Sequence, residues 1–306
     1  MVPQISVITC SHNPRQDYLR QVIEGLKYQT LDKRNWEYLL VDNASVDALE
    51  RRVGLAWHPS ARHIREESLG LTHARLRGIS EAKSKLLVFV DDDNVLDPEF
   101  LEVGLHIANE WPRLGVWGGQ TLPAFEAEPA EWTKEFWGRL VIREFDSPRW
   151  SNQPSDADAM PCGAGMFVRR EVAEFYLTLH KTGKREILMD RTGNSLVSGG
   201  DSDLAMCACD LGLGMGLFPD LQLKHLIPSG RLTEDYLVSL VEGLAYSAMV
   251  LNSFRSTNGI SVKRKISTSL ADMGRLLIRD RRERRFFRAV RNGESKARKL
   301  LESQVS

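Results

Sequence analysis

Short apolar runs alternate with amphipathic stretches along the first third of the chain. Ile5-Ser-Val-Ile-Thr9 and Glu37-Tyr-Leu-Leu-Val41 are rich in apolar and β-branched residues, and each gives way to polar ones, Cys10-Ser-His-Asn-Pro14 and Asp42-Asn43. Such runs predict strands covered on both faces of a sheet. Between them Leu19, Val22, Ile23 and Leu26 recur at helical spacing and predict a helix from Asp17 to Gln29. His63-Ile-Arg65 reads as a short strand, and Thr72 as the cap of a helix reaching about Ala82. Strand then helix, repeated, is the α/β pattern of a doubly wound, mostly parallel sheet flanked by helices.

The next strand, Leu86-Leu-Val-Phe-Val90, ends on Asp91-Asp92-Asp93-Asn94. Ligands of open α/β sheets sit at the carboxyl ends of strands, so these three carboxylates fall where a substrate would bind. Adjacent carboxylates repel, and a hard cation, which takes oxygen ligands, offsets that repulsion. The competing reading is an acidic turn, with Asp97-Pro98 as N-cap and first residue of a helix from Pro98 to about Trp111. That reading accounts for Asp97 but not for three carboxylates in a row.

From Gly115 the alternation dissolves. Trp117-Gly-Gly119 reads as the close of a strand, and Pro123 to Trp137 is dense in aromatic and acidic residues, which suit either a sugar platform or packing onto a sheet. Met160-Pro-Cys-Gly-Ala-Gly-Met-Phe-Val168 leads small residues into a strand. Leu196-Val-Ser-Gly-Gly-Asp201-Ser-Asp203 leads into a helix capped by Asp201 or Ser202 and ended by Gly212. Gly216 to Phe218 and Leu221 to His225 read as a strand pair, and Thr233 as the cap of a long amphipathic helix carrying Leu237, Leu240, Val241 and Leu244.

Composition narrows the function. The 306 residues are 42% hydrophobic and 27% charged, enough for a sizeable core, and the formal net charge of +0 argues against a general nucleic-acid binder. That zero hides a split: residues 255 to 306 carry 15 Lys and Arg against 5 Asp and Glu, leaving 26 against 36 before them. The tail from Lys263 to Leu301 places Leu270, Met273, Leu277, Phe286, Phe287 and Val290 among basic residues. This pattern suits peripheral contact with an anionic membrane, or a solvated face or dimer contact. No signal-like segment or membrane-spanning run is present, and the four cysteines, Cys10, Cys162, Cys207 and Cys209, have no zinc or disulfide spacing, so the expected location is cytoplasmic. Neither Gly-x-Gly-x-x-Gly nor Gly-x-x-x-x-Gly-Lys follows a strand.

Several stretches together resemble the family 2 glycosyltransferases, the inverting sugar-nucleotide enzymes of GT-A fold. They are Ile5 to Asn13 with a Thr9-x-x-x-Asn13 turn, Val41-Asp-Asn-x-Ser-x-Asp47, Gly70-Leu-Thr-His-Ala-Arg75-Leu-Arg-Gly78, Asp91-Asp-Asp93 and Gly200-Asp201. Phe125-Glu-x-Glu-Pro and His225-Leu-Ile-Pro-x-x-Arg231-Leu-Thr also resemble bacterial members that build surface polysaccharides or glycolipids. The resemblance spans about residues 4 to 231. It implies a catalytic domain over 1–231 and a helical extension over 232–306 with the basic tail.

The resemblance also implies roles. Thr9, Asn13, Asp42, Arg75, Asp91, Asp92 and Arg231 would bind the nucleotide sugar, with Asp42 on the base and Asp91 on the ribose. Asp93 and His225 would hold Mn²⁺ or Mg²⁺, and Asp201 would be the base that deprotonates the acceptor. Each residue also has a structural reading: an Asx turn for Asp42, a solvated helical position for Arg75, a strand-end histidine for His225, and an N-cap for Asp201, with Asp203 as a rival base. The expected function is transfer from a nucleotide diphosphate sugar, UDP first among donors, to a saccharide or lipid-linked acceptor, with no nucleic-acid partner. A sugar-phosphate nucleotidyltransferase and a non-catalytic nucleotide-sugar binder are the alternatives. The first would need a Gly-rich basic loop after the first strand, which Cys10-Ser-His-Asn-Pro14 is not.

Overall fold

In the computed structural model, residues 2–185, 187, 189, 196–255 and 280–303 are described. The chain divides into two compact units, Met1–Leu188 with Gly200–Ser229, and Met189–Gly199 with Gly230–Ser306.

In the first unit β1 (Ile5–Ser11), β2 (Trp36–Asn43), β3 (Ala61–Glu66) and β4 (Leu86–Phe89) lie side by side and parallel, in the order β3-β2-β1-β4. Every residue of β1, β2 and β4 is buried, the burial expected of unalternating apolar runs. One apolar layer joins Val7 and Val88 to Leu19, Val22 and Leu26 of α1 (Gln16–Lys27) and to Leu101 of α3 (Phe100–Glu110). The other joins Ile8, Val41 and Phe89 to Ala74 and Ile79 of α2 (Leu71–Glu81), Val172 of α4 (Arg170–Lys181) and Leu204 of α5 (Gly200–Asp210). Consecutive strand residues thus feed opposite faces, as the pleat requires.

Beyond β4 the sheet becomes mixed. β8 (Met166–Arg169) lies antiparallel between β4 and β6 (Leu114–Phe125), and β6 runs parallel to β9 (Gly214–Ile227) along most of its length. β5 (Asn94–Leu96) and β7 (Arg149–Ser151) pair antiparallel with β9. The longest ladders are parallel, and the architecture is the mostly parallel, helix-flanked sheet of a GT-A fold.

Four local expectations change. Thr72 lies inside the first turn of α2, because the chain enters that helix through Gly70 at φ 141°, an angle glycine tolerates. The helix expected from Pro98 begins at Phe100: residues 94–96 have formed β5, and Asp97 caps the turn that follows, accepting from the Glu99 amide at 3.2 Å. The strand expected to close at Gly119 runs on to Phe125. Its partner is one strand rather than a pair, because Gly119 stands opposite Phe218 and Gln120 opposite Gln222, leaving Pro219 to Leu221 in a bulge. Prolines and glycines that read as strand ends sit instead at this irregularity, where a missing ladder bond costs little.

In the second unit α6 (Glu234–Ser253) is capped as expected, Thr233 Oγ1 accepting from the Tyr236 amide at 3.3 Å. α7 (Arg281–Ser303) packs on it through Phe286, Ala289, Gly293 and Ala297. Part of the basic run is neutralised there: Arg282 and Arg285 meet Glu234 at 3.1 and 2.5 Å, and Lys296 meets Glu242 at 2.6 Å. Leu270, Met273 and Leu277 lie outside the described residues. No described helix is long and apolar enough to cross a membrane.

Candidate active site

β4 stops at Phe89 and the chain turns through Asp91 to Asp93, the Asn94 amide donating to Asp91 O at 3.1 Å, before entering β5. β5 pairs with the end of β9, Asn94 opposite His225, and the Leu226 amide donates to Asp93 O at 2.8 Å. Sheet register therefore brings His225 Nε2 to 3.5 Å from Asp93 Oδ2. The two residues assigned to the metal by resemblance lie together although a long stretch of sequence separates them.

Asp92 accepts a hydrogen bond from Ser11 Oγ. Ser11 was missed in the sequence. The parallel register of β1 and β4, Ile8 beside Phe89, carries it to this place three residues on. Asp91 Oδ1 lies 4.0 Å from Nη2 of Arg75 on α2, whose side chain is only 5% exposed. Asp201, in the first turn of α5 rather than at its cap, also acts electrostatically on Arg75. Asp201 Oδ2 accepts from the Gly163 amide and Oδ1 from the Ser202 amide, both at 2.9 Å. Asp203, the rival base, is 1% exposed and bound to Arg185 Nε at 2.7 Å. Two positions along a helix point to different sides, and that rotation separates the carboxylates.

The residues expected on the nucleotide side are organised differently. Asp42 Oδ1 accepts from the Ser45 amide at 3.0 Å, and Oδ2 from the Leu49 amide at 2.9 Å and Arg65 Nη1 at 2.7 Å. Asn13, at φ 46°, donates its amide to Ser45 Oγ and accepts from the Val46 amide, both at 2.9 Å. Together they order the loop after β2. Thr9 is fully buried in β1, and Arg231 lies in the second unit. Among the aromatics after Pro123, Phe136 is buried and Trp137 packs on Phe125 with ring centroids 5.1 Å apart.

Burial pushes the Asp91 carboxyl up; Arg75 opposes this, and the nearby Asp93 and Asp201 reinforce it. For Asp201 burial also pushes upward, but Arg75 and the Gly163 and Ser202 amides outweigh it and hold the carboxyl below its ordinary range. Asp42 is held low in the same way, burial being overcome by Ser45, Leu49 and Arg65. Burial pushes the Cys10 thiol beside Arg75 up to about 12, so it stays neutral.

Among the described residues no three His, Cys, Asp or Glu side chains form a ready metal cluster. One carboxylate and one imidazole, Asp93 and His225, nevertheless suit a divalent cation that takes its remaining ligands from phosphate oxygens and water, as Mg²⁺ commonly does and as the mixed oxygen and nitrogen set suits Mn²⁺.

The model of the family "Glycosyl transferase family 2" matches residues 6–177. The putative glycosyltransferase EpsH of Bacillus subtilis is 29% identical over 110 residues, 35% of this chain and 31% of that protein. Glycosyltransferase AglE of Haloferax volcanii is 29% identical over 107 residues, 34% of this chain and 35% of that protein. The chain thus matches about a third of the length of each relative. Among solved structures, residues 1–349 of TarS from S. aureus superpose with a TM-score of 0.54 at 16% identity, covering 98% of this chain and 91% of that one. The same protein in complex with UDP-GlcNAc superposes at 0.53 and 15% identity, with the same coverage.

Proposed function

The chain belongs to glycosyl transferase family 2 and is a transferase, and on that footing we propose that it moves a sugar from a UDP-sugar to an acceptor hydroxyl, inverting the anomeric centre, with a divalent cation at Asp93 and His225. The observation that carries this reading is the meeting of Asp91, Asp93, His225 and Asp201 at one strand end, from three separate segments of the chain. UDP is favoured because TarS, which shares the fold, binds UDP and UDP-GlcNAc in its crystals.

In this mechanism Asp91 faces the ribose, and Asp93 with His225 would hold the cation. When bound, the cation supplies positive charge against the departing diphosphate. Asp201 orients the acceptor hydroxyl and takes its proton as the acceptor oxygen bonds to the anomeric carbon and the bond to the diphosphate oxygen breaks. Its two amide hydrogen bonds fix the carboxylate's direction, and its low pKa keeps it ionised, so it accepts the proton late. The acceptor belongs to polysaccharide or glycolipid assembly in this reading. The four cysteines form no disulfide, which suits a reducing cytoplasm.

Thermal unfolding with UDP, GDP and dTDP, each with and without Mn²⁺, tests the proposal. UDP at about 100 times its dissociation constant should add roughly 2.7 kcal/mol of stability in the presence of Mn²⁺, and Asp93→Asn should abolish the metal-dependent part. No shift with any nucleotide would refute it.

A further inference from the structure

Arg75 occupies a place that chemistry rather than packing explains. Its side chain is only 5% exposed, Asp91 Oδ1 lies 4.0 Å from Nη2, and Asp201 is the carboxylate that acts on it most strongly. It rests against Gly163: a Cβ built on that glycine would lie 2.4 Å from Arg75 Nη2 and 3.4 Å from Asp201 Oδ2. Gly200 borders the same space, its absent Cβ being 3.6 Å from Arg75 Nη1, 3.2 Å from Thr72 Oγ1 and 3.5 Å from the Tyr176 hydroxyl. The Gly163 amide meanwhile donates to Asp201 Oδ2. One residue thus binds the carboxylate with its amide and, by lacking a side chain, leaves room for the guanidinium beside it.

We propose that Arg75 is a positioning residue for the base and not a ligand of the diphosphate: wedged in the space left by Gly163, it holds the Asp201 carboxylate ionised and oriented toward the acceptor. This rests on Asp201 being the base of the transfer reaction. Burying a carboxylate is unfavourable unless it is paired, and an opposite charge within a few ångströms favours its ionised form. The groups facing this pair are Asp91 at the end of β4, Cys10 on β1, Tyr176 on α4 and Cys162 before β8. Cys10 and Cys162 are buried thiols pushed upward and neutral at the acid end, and among the described residues Asp91 is the other carboxyl facing the pair.

The test follows the Asp201 carboxyl by NMR in the full chain labelled with carboxyl-¹³C aspartate, without ligands, the resonance being identified by its loss in Asp201→Asn. Arg75→Gln should raise the titration midpoint of Asp201 by about one pH unit or more. Arg75→Lys, which keeps a cation there, should restore part of the wild-type midpoint. Gly163→Ala keeps every charged group and crowds chiefly the guanidinium, the nearest atom to the new Cβ, so it keeps the proposal testable if Arg75→Gln does not fold, and its midpoint should shift the same way. UDP affinity by calorimetry in Mn²⁺ should stay within about threefold of wild type in Arg75→Gln. An unmoved Asp201 midpoint in both Arg75→Gln and Gly163→Ala would overturn the proposal, as would a loss of UDP affinity of about tenfold or more. Because the titration needs no nucleotide, failure of the wild type to bind UDP would sink the donor assignment alone and leave the Arg75 result standing.

Discussion

Asp203 and Asp201 share the first turn of α5 and meet different surroundings. Asp203 is buried with Arg185 at 2.7 Å, a direct ion pair inside the unit. Asp42 behaves similarly, both oxygens engaged by two backbone amides and Arg65. Asp201 instead belongs to a group in which, among the described residues, three carboxylates gather around one guanidinium and one imidazole. A carboxylate matched by its own cation stabilises a fold. Carboxylates crowded beyond the local positive charge leave a site that added positive charge would complete, which is what the proposed divalent cation would supply.

Substitutions can break or sharpen this contrast. The largest expected effect is that of Asp201→Asn, which should lower sugar transfer by about 10³-fold with UDP affinity kept, measured by UDP release and calorimetry. In the wild type the same carboxyl, held below its ordinary range, should show a titration midpoint below about pH 4 by carboxyl-¹³C NMR. Arg185→Met comes next: leaving Asp203 buried without that cation should cost about 3 kcal/mol of stability in a urea titration while the Asp201 midpoint stays in place. Asp42→Asn should cost about 2 kcal/mol through its charged hydrogen bonds. Because the folded pKa of Asp42 is depressed, its contribution is complete above the unfolded value near 3.8 and is lost as pH falls through the folded value. The stability difference between wild type and Asp42→Asn should therefore shrink below about pH 4, and a constant difference would count against its ionised role. The smallest effect belongs to Arg285→Ala on α7: its ion pairs to Glu234 and Asp235 lie at the surface, with the guanidinium partly exposed, so the same titration should show a loss of less than about 1 kcal/mol.

Legibility followed the same division. β1, β2 and β4 were visible because a strand covered on both faces must be apolar throughout, and α1 because its buried side repeats every three or four residues. The acidic strand end stood out because no folding preference requires three adjacent carboxylates. β6 and β9 were misread at Gly119 and Pro219, since a bulge inside a long ladder has the local chemistry of a strand end. β5 was missed because three residues carry too little pattern to register.

The sequence by itself determined the layered α/β core and the position of the acidic cluster at a strand terminus, because composition and local periodicity act over a few residues; the candidate roles of Asp93, His225 and Asp201 came from the resemblance of ordered motifs to the family, not from pattern. Only the tertiary structure decided which carboxylate meets which cation. His225 reaches Asp93 through the antiparallel register of β5 and β9, Ser11 reaches Asp92 through the parallel register of β1 and β4, and Arg75 lies beside Asp91 and Gly163, whose missing side chain leaves space for it. Charge pairing depends on distances of a few ångströms between segments remote in sequence, and no local pattern encodes those distances.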